Sequence, residues 1–181
     1  CWFSPLHDKE LPACDGLILG GGYPEVYARE LSSNTVMLSA VNNALQAGMP
    51  CLAECGGYMY LLDSMTDKAG REFRMAGFIP GKAYMTDRLT RFGYITLVAS
   101  GDNLLCGAGE KINAHEFHYT DSTDNGSGFT AIKTNGGRQW SCIHTGESLF
   151  AGYPHLHLWG NLDFARSFLD KCRHYKDVKL C

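Results

Sequence analysis

No apolar run in this chain approaches the roughly 18 residues that a membrane-spanning helix needs, and no secretion signal is read in it. Charge of one sign is lacking as well. Sixteen Lys and Arg against 19 Asp and Glu leave a net charge of −3, with no basic run. Nucleic acid and anionic membranes are therefore not expected as partners. No C-x-x-C pair occurs, which weakens zinc and thioredoxin-like readings. Gly20, Gly21 and Gly22 are contiguous, so the G-x-G-x-x-G spacing of a dinucleotide site is missing. Gly81-Lys82-Ala83 lacks the hydroxyl residue and the earlier glycine of a P-loop. Internal repeats and a dividing linker are absent too, so residues 1–181 are expected to form one domain with a hydrophobic core. The eight cysteines are scattered and too sparse for a disulfide-stapled scaffold, so reduced thiols and a cytoplasmic setting are expected. The chain opens on Cys1 rather than Met, which reads as a portion of something longer.

What is present is more telling. Pro50-Cys-Leu-Ala-Glu-Cys-Gly-Gly-Tyr-Met-Tyr-Leu-Leu62 reads as a short buried strand, a tight turn and an apolar helix. Cys55 sits at the apex, at the end of a strand and the positive end of a helix, where a thiol becomes a nucleophile. The two glycines after it remove Cβ clashes from the turn. The geometry is that of the nucleophile elbow of serine hydrolases, with sulfur in place of oxygen.

Ahead of the elbow, Asp15-Gly-Leu-Ile-Leu19 reads as a buried strand, Glu25 to Leu31 as a short helix, and a helix capped by Ser33 or Asn34 runs to about Ala47. Cys1 to Pro5 reads as another short strand. Strand and helix alternate, the pattern of an α/β domain with a parallel sheet. From Gly77 the character changes to short apolar pieces, with strands expected over Gly93–Val98, Ile112–Thr120 and Gly128–Lys133, and a turn or mobile loop over Asp121–Gly128. Phe150 to Leu158 reads as one strand. A final helix capped by Asn161 or Asp163 carries Phe164, Phe168, Leu169 and Cys172 on one stripe.

A cysteine nucleophile needs a base and an oxyanion site. His155 and His157 lie near the C-terminal end of that last strand, on one face by alternation, and at the sheet edge where α/β folds bind ligands. The Gly56 amide and one from Gly20 to Gly22 supply an oxyanion site. Glu54 is a candidate supporting residue. His115 and His118 could bind metal, but their three-residue spacing puts them on opposite strand faces, and no metal site is assigned. Each of these residues has a bland alternative: a buried cysteine is most often a small core hydrophobe. Cys55 gains weight because the turn, the glycine loop and the two histidines map to one edge.

Several motifs resemble the cobyrinic acid a,c-diamide synthase family. They are Phe3-Ser-Pro-Leu6, Leu19-Gly-Gly-Gly-Tyr-Pro-Glu25, Ala53-Glu-Cys-Gly-Gly57 with Met59-Tyr60-Leu61, Arg88-Leu89, Gly93-Tyr94, His115-Glu-Phe-His-Tyr119 and Tyr153-x-His-x-His157, in family order over nearly the whole chain. The resemblance is to the C-terminal class I glutamine amidotransferase domain. It implies a flavodoxin-like α/β fold, a mostly parallel sheet with helices on both faces. It also implies that Cys55 attacks the carboxamide of L-glutamine to form a thioester, that His155 activates the thiol, and that Gly21, Gly22 and Gly56 fall at the oxyanion site. Ammonia would pass to a synthetase domain of the same parent chain, which uses ATP and Mg2+ to amidate the a and c carboxylates of a corrin precursor in cobalamin biosynthesis. No cofactor is expected on this domain itself.

Two departures accompany the resemblance. Many class I amidotransferases carry Glu two residues after the histidine, where this chain has His157; a Cys-His dyad is the description that results. The family's first strand and helix, ahead of Phe3, and the synthetase domain are absent from the sequence. Rival readings are a cysteine hydrolase of similar topology, a non-catalytic binding domain on the same fold, and a synthase for nickel sirohydrochlorin or hydrogenobyrinic acid.

Overall fold

The computed structural model describes residues 1–179. In chain order the elements are β1 (Leu17–Leu19), a 3-10 turn at Pro24–Val26, α1 (Ala28–Ser33), α2 (Thr35–Gln46), β2 (Cys51–Glu54) and α3 (Gly56–Leu61). Then come β3 (Leu62–Thr66), β4 (Glu72–Arg74), β5 (Ile79–Met85), β6 (Arg91–Ala99), β7 (Lys111–His118) and β8 (Thr120–Ser122). The remainder is β9 (Phe129–Lys133), β10 (Gln139–Cys142), β11 (His144–Thr145), β12 (Leu149–Gly152), β13 (His155–Leu156), a 3-10 turn at Leu158–Gly160 and α4 (Leu162–Lys179).

The strands form three sheets, ordered β1-β2-β12-β11, β10-β9-β6-β7-β13 and β4-β3-β5-β8. In the first, β1, β2 and β12 run parallel, with Ile18 and Phe150 both opposite Leu52. This sheet divides two hydrophobic clusters. Cys51 and Ala53 pack with Leu31, Val41 and Leu61 from α1, α2 and α3. Leu52 and Phe150 point the other way, into a cluster with Ile95, Leu97 and Phe129 of the second sheet and Phe164 and Phe168 of α4. A strand covered on both faces needs apolar residues at successive positions, and Cys51-Leu-Ala53 supplies them. Helices thus cover both faces, as expected.

The parallel arrangement is confined to that first sheet and to the β3-β5 pair; the second sheet is wholly antiparallel. "Mostly parallel" therefore describes the sheet that carries Cys55 and not the molecule.

Local signals account for α2. Met37, Leu38, Val41 and Leu45 are its buried residues, and Asn34 Oδ1 accepts from the Met37 amide at 3.4 Å. It ends in a Schellman motif: the Gly48 amide reaches the Leu45 carbonyl at 2.9 Å and the Met49 amide reaches that of Ala44 at 3.1 Å, with Gly48 at φ +82°.

Three expectations are corrected. Residues 1–5 form no strand. The segment turns at Ser4, whose carbonyl accepts from the amides of His7 and Asp8, and Asn34 Nδ2 ties it down through the carbonyls of Pro5 and Asp8. The strand expected over Phe150–Leu158 breaks at Tyr153-Pro154: β12 ends at Gly152, and β13 belongs to a different sheet. On α4, Leu169 is 51% exposed and does not share the buried stripe of Phe164 and Phe168. The segment from Asp121 begins within β8 and continues as a hydrogen-bonded turn in which Ser122 Oγ donates to the Asp124 carbonyl at 2.8 Å.

Candidate active site

Cys55 stands between β2 and α3 with φ +49° and ψ −104°. Only Cys55 and Ile143 have positive φ among the described non-glycine residues. For a residue with a Cβ this costs of order 1–3 kcal/mol and persists only where the surroundings impose it. Here they do. The Cys55 amide donates to the Gly152 carbonyl of β12 at 2.7 Å, and its carbonyl accepts from the Met59 amide at 3.0 Å. The glycines after it admit close neighbours. A Cβ on Gly57 would lie 2.1 Å from the Leu19 carbonyl oxygen, so α3 rests directly on the end of β1. A Cβ on Gly56 would lie 3.1 Å from the Gly22 amide nitrogen, which sets Gly22 against the elbow.

His155 begins β13, which pairs antiparallel with β7 and puts His155 opposite His115. Its ring lies against Gly21, where a Cβ would come within 2.5 Å of His155 Cε1. The imidazole is pushed up to about 10, first by the neighbouring Cys55 side chain, then by Glu54, against a lesser opposing effect of burial. Glu54 Oε2 is 3.7 Å from His155 Nδ1, while Glu54 Oε1 accepts the Leu156 amide at 2.9 Å. The thiol, imidazole, carboxylate and glycine loop thus converge, although residues 21 and 155 are far apart in sequence.

A family model of the CobB/CobQ-like glutamine amidotransferase domain matches residues 1–162. The chain belongs to this family. Among curated relatives named cobyrinate a,c-diamide synthase, it is 45% identical over 159 residues to that of Salmonella typhimurium, covering 86% of this chain and 35% of the relative. It is 40% identical to that of Fusobacterium nucleatum (90% and 36% covered) and 38% identical to that of Caldanaerobacter subterraneus (96% and 39%). The chain spans somewhat over a third of the length of these relatives. Its fold matches that of a Thermoplasma acidophilum protein provisionally assigned to GMP synthase, with a TM-score of 0.54 and 17% identity over 98% of this chain and 82% of that one. At that identity the likeness shows the fold alone, and the fold agrees with the class I amidotransferase architecture.

Within this amidotransferase domain, His157 departs from expectation. The break at Pro154 leaves it at the start of the 3-10 turn, exposed, with its amide donating to the Asn113 carbonyl at 3.0 Å. Its ring has no hydrogen bond or ion pair with Cys55, His155 or Glu54 among the described residues. The carboxylate that meets His155 comes instead from Glu54, the residue preceding Cys55. Alternation along β2 was the available signal: Glu54 follows Ala53 at the strand end, on the face opposite to it.

His115 and His118 fall on opposite faces of β7, as their spacing implies, with His118 buried and His115 partly exposed. Burial pushes the Cys51 thiol up, which marks it as a core group despite its place four residues from Cys55. A groove of about 710 Å³ is lined by Asn42, Asp63, Glu72 and Arg74 among others and holds none of the Cys55 set. No helix among the described residues is long and apolar enough to cross a membrane.

Proposed function

We propose that this domain is the glutaminase of a cobyrinate a,c-diamide synthase. The thiol proton of Cys55 already rests on His155 as imidazolium, and the sulfur attacks the side-chain carboxamide carbon of glutamine as a thiolate. The amides of Gly22 and Gly56, with Gly21 beside them, receive the developing oxyanion. His155 returns the proton to the departing nitrogen, so that ammonia leaves and a γ-glutamyl thioester remains. A water then gives a proton to His155 and attacks the thioester, releasing glutamate and regenerating Cys55. Glu54 holds the imidazole and favours its charged form, in the manner of the third member of a triad.

The ammonia serves ATP-dependent amidation of the a and c carboxylates of the corrin precursor in a synthetase portion of the relatives beyond the matched region. The relatives, of which this chain covers somewhat over a third, extend well beyond the matched region, and that extra length supports placing the ATP- and Mg2+-dependent step there.

The observation that carries the proposal is the convergence on one point of Cys55, on its forced positive-φ turn, with the Gly21–Gly22 loop and the His155 ring that Glu54 faces at 3.7 Å. In the full-length synthase, Cys55→Ala is expected to abolish glutamine-dependent glutamate release and amidation while amidation from free ammonia persists. Glutamine hydrolysis undiminished in Cys55→Ala would remove Cys55 as the nucleophile. A parent protein that neither hydrolyses glutamine nor forms a trapped thioester would leave the domain as a non-catalytic binding module.

A further inference from the structure

Beside Tyr153 lies a small, partly open pocket of about 10 Å³ whose walls include Arg91, Glu116, His118, Trp140 and Tyr153. That is about the least volume that accommodates a single water. Its lining is unusually polar for a protein interior. Glu116 is 3% exposed and His118 6%. Of the four buried side-chain polar atoms without a protein partner among the described residues, three belong to this lining: His118 Nε2, Trp140 Nε1 and Tyr153 Oη. The Tyr153 hydroxyl lies beside Thr120 without a well-formed hydrogen bond. A buried polar atom left without a partner costs about 1–3 kcal/mol, so three around one cavity ask for an occupant.

The chemistry of the walls defines it. His118 Nδ1 lies 2.7 Å from the Thr120 carbonyl, which can only accept, so Nδ1 carries the proton and neutral His118 presents Nε2 as an acceptor. Nε2 stands 3.9 Å from Glu116 Oε1. That is too long for a direct hydrogen bond, but one atom at about 2.8 Å from each can bridge them. The bridge must donate to both acceptors. It must also present a lone pair to Trp140, whose ring nitrogen only donates. Water and ammonia meet all three conditions at this size. Ammonium and metal cations have no lone pair for Trp140.

We infer that Glu116, His118 and Trp140 form a buried site for one water-sized molecule that is both donor and acceptor, water or ammonia. The site adjoins the active centre through a single ring. Tyr153 stacks on His118 at 4.0 Å with the planes 8° apart, meets Tyr58 of α3 edge-on at 5.2 Å, and is two residues from His155. The occupant thus buttresses the strand that delivers the imidazole. The inference does not rest on the glutaminase reading.

A high-resolution crystal structure of the full-length protein tests it. One density peak within about 3.2 Å of Glu116 Oε1, His118 Nε2 and Trp140 Nε1 is expected; no peak there overturns the site. Trp140→Phe keeps an aromatic ring under Arg91, whose guanidinium lies 4.6 Å from the Trp140 ring, and removes the N–H together with the five-membered half of the indole. A fall in Tm is expected, because a hydrogen bond and packing are both lost. A rise in Tm, the relief of an unpaired donor, overturns the inference. Added 15N-ammonium chloride separates the two sources without glutamine. A slowly exchanging 15N–1H resonance that vanishes in Trp140→Phe supports the site with ammonia as occupant, and density without that resonance supports it with water.

Discussion

Glu54 and His155 are joined at two points: the Glu54 carboxylate accepts the amide next to the histidine at 2.9 Å and stands 3.7 Å from its Nδ1. One side chain therefore anchors the backbone of β13 and faces the imidazole that it carries. On the proposed reading, Glu54, immediately before Cys55, takes the place that the residue two after the histidine holds in many class I amidotransferases.

Glu54→Gln separates the two roles. Glutamine retains an oxygen for the Leu156 amide and loses the charge. Glutaminase kcat is expected to fall by about 10²-fold, the lower range of general acid–base contributions, with KM little changed. Activity equal to the parent would restrict Glu54 to holding the backbone. Glu54→Ala loses the anchor as well and is expected to be worse in both kcat and Tm.

The imidazole itself reports the pair. His155 is raised to about 10, with the neighbouring Cys55 side chain as the largest cause and Glu54 next. Following the His155 ring protons by NMR against pH, Cys55→Ala is expected to bring the midpoint down toward the ordinary histidine value of about 6.5, and Glu54→Gln to bring it down by less. A midpoint unmoved by Cys55→Ala would show that the sulfur does not hold the proton on His155.

The same shift sets a pH dependence of stability. Between about 6.5, the ordinary value, and about 10, folded His155 holds a proton that the unfolded chain has released. Stability therefore falls as pH rises through this window, and the contribution is fully present only below it. Urea midpoints from pH 6 to 10 are expected to decline more steeply for the parent than for His155→Gln. Parallel profiles would contradict the shift.

Gly57→Ala tests the contact between elbow and sheet. Its Cβ would sit 2.1 Å from the Leu19 carbonyl oxygen, a backbone atom that cannot swing aside. A loss of roughly 1–3 kcal/mol or more is expected from such overpacking, with reduced glutaminase activity because Cys55 moves with the helix. Gly20→Ala, with no atom within 4 Å of its Cβ, is the control and should lie within about 0.5 kcal/mol of the parent. Equal denaturation midpoints for the two variants would refute the close contact.

The elements with strong local codes were legible in the chain itself. Asn34 as a cap, Gly48 as a stop, Cys51-Leu-Ala53 as a doubly buried strand and Cys55-Gly-Gly57 as a sharp turn each follow from steric and hydrogen-bonding preferences that act over a few residues. The ends of the parallel strands β1, β2 and β12 bring the glycine loop, Cys55 and Gly152 together, but His155 reaches them only after the chain has left that sheet for β13. The fate of His157 was not legible. Alternation placed it beside His155, but Pro154 cannot donate a ladder hydrogen bond, and the chain leaves β12 there to pair with β7 instead. The choice of Glu54 as the carboxylate facing His155 was likewise a tertiary decision. Sequence shows a carboxylate at a strand end, but only the packing of β13 beside β2 determines which imidazole it meets. Local preferences set the turn at Cys55; contacts between residues a hundred positions apart set which side chains meet it there.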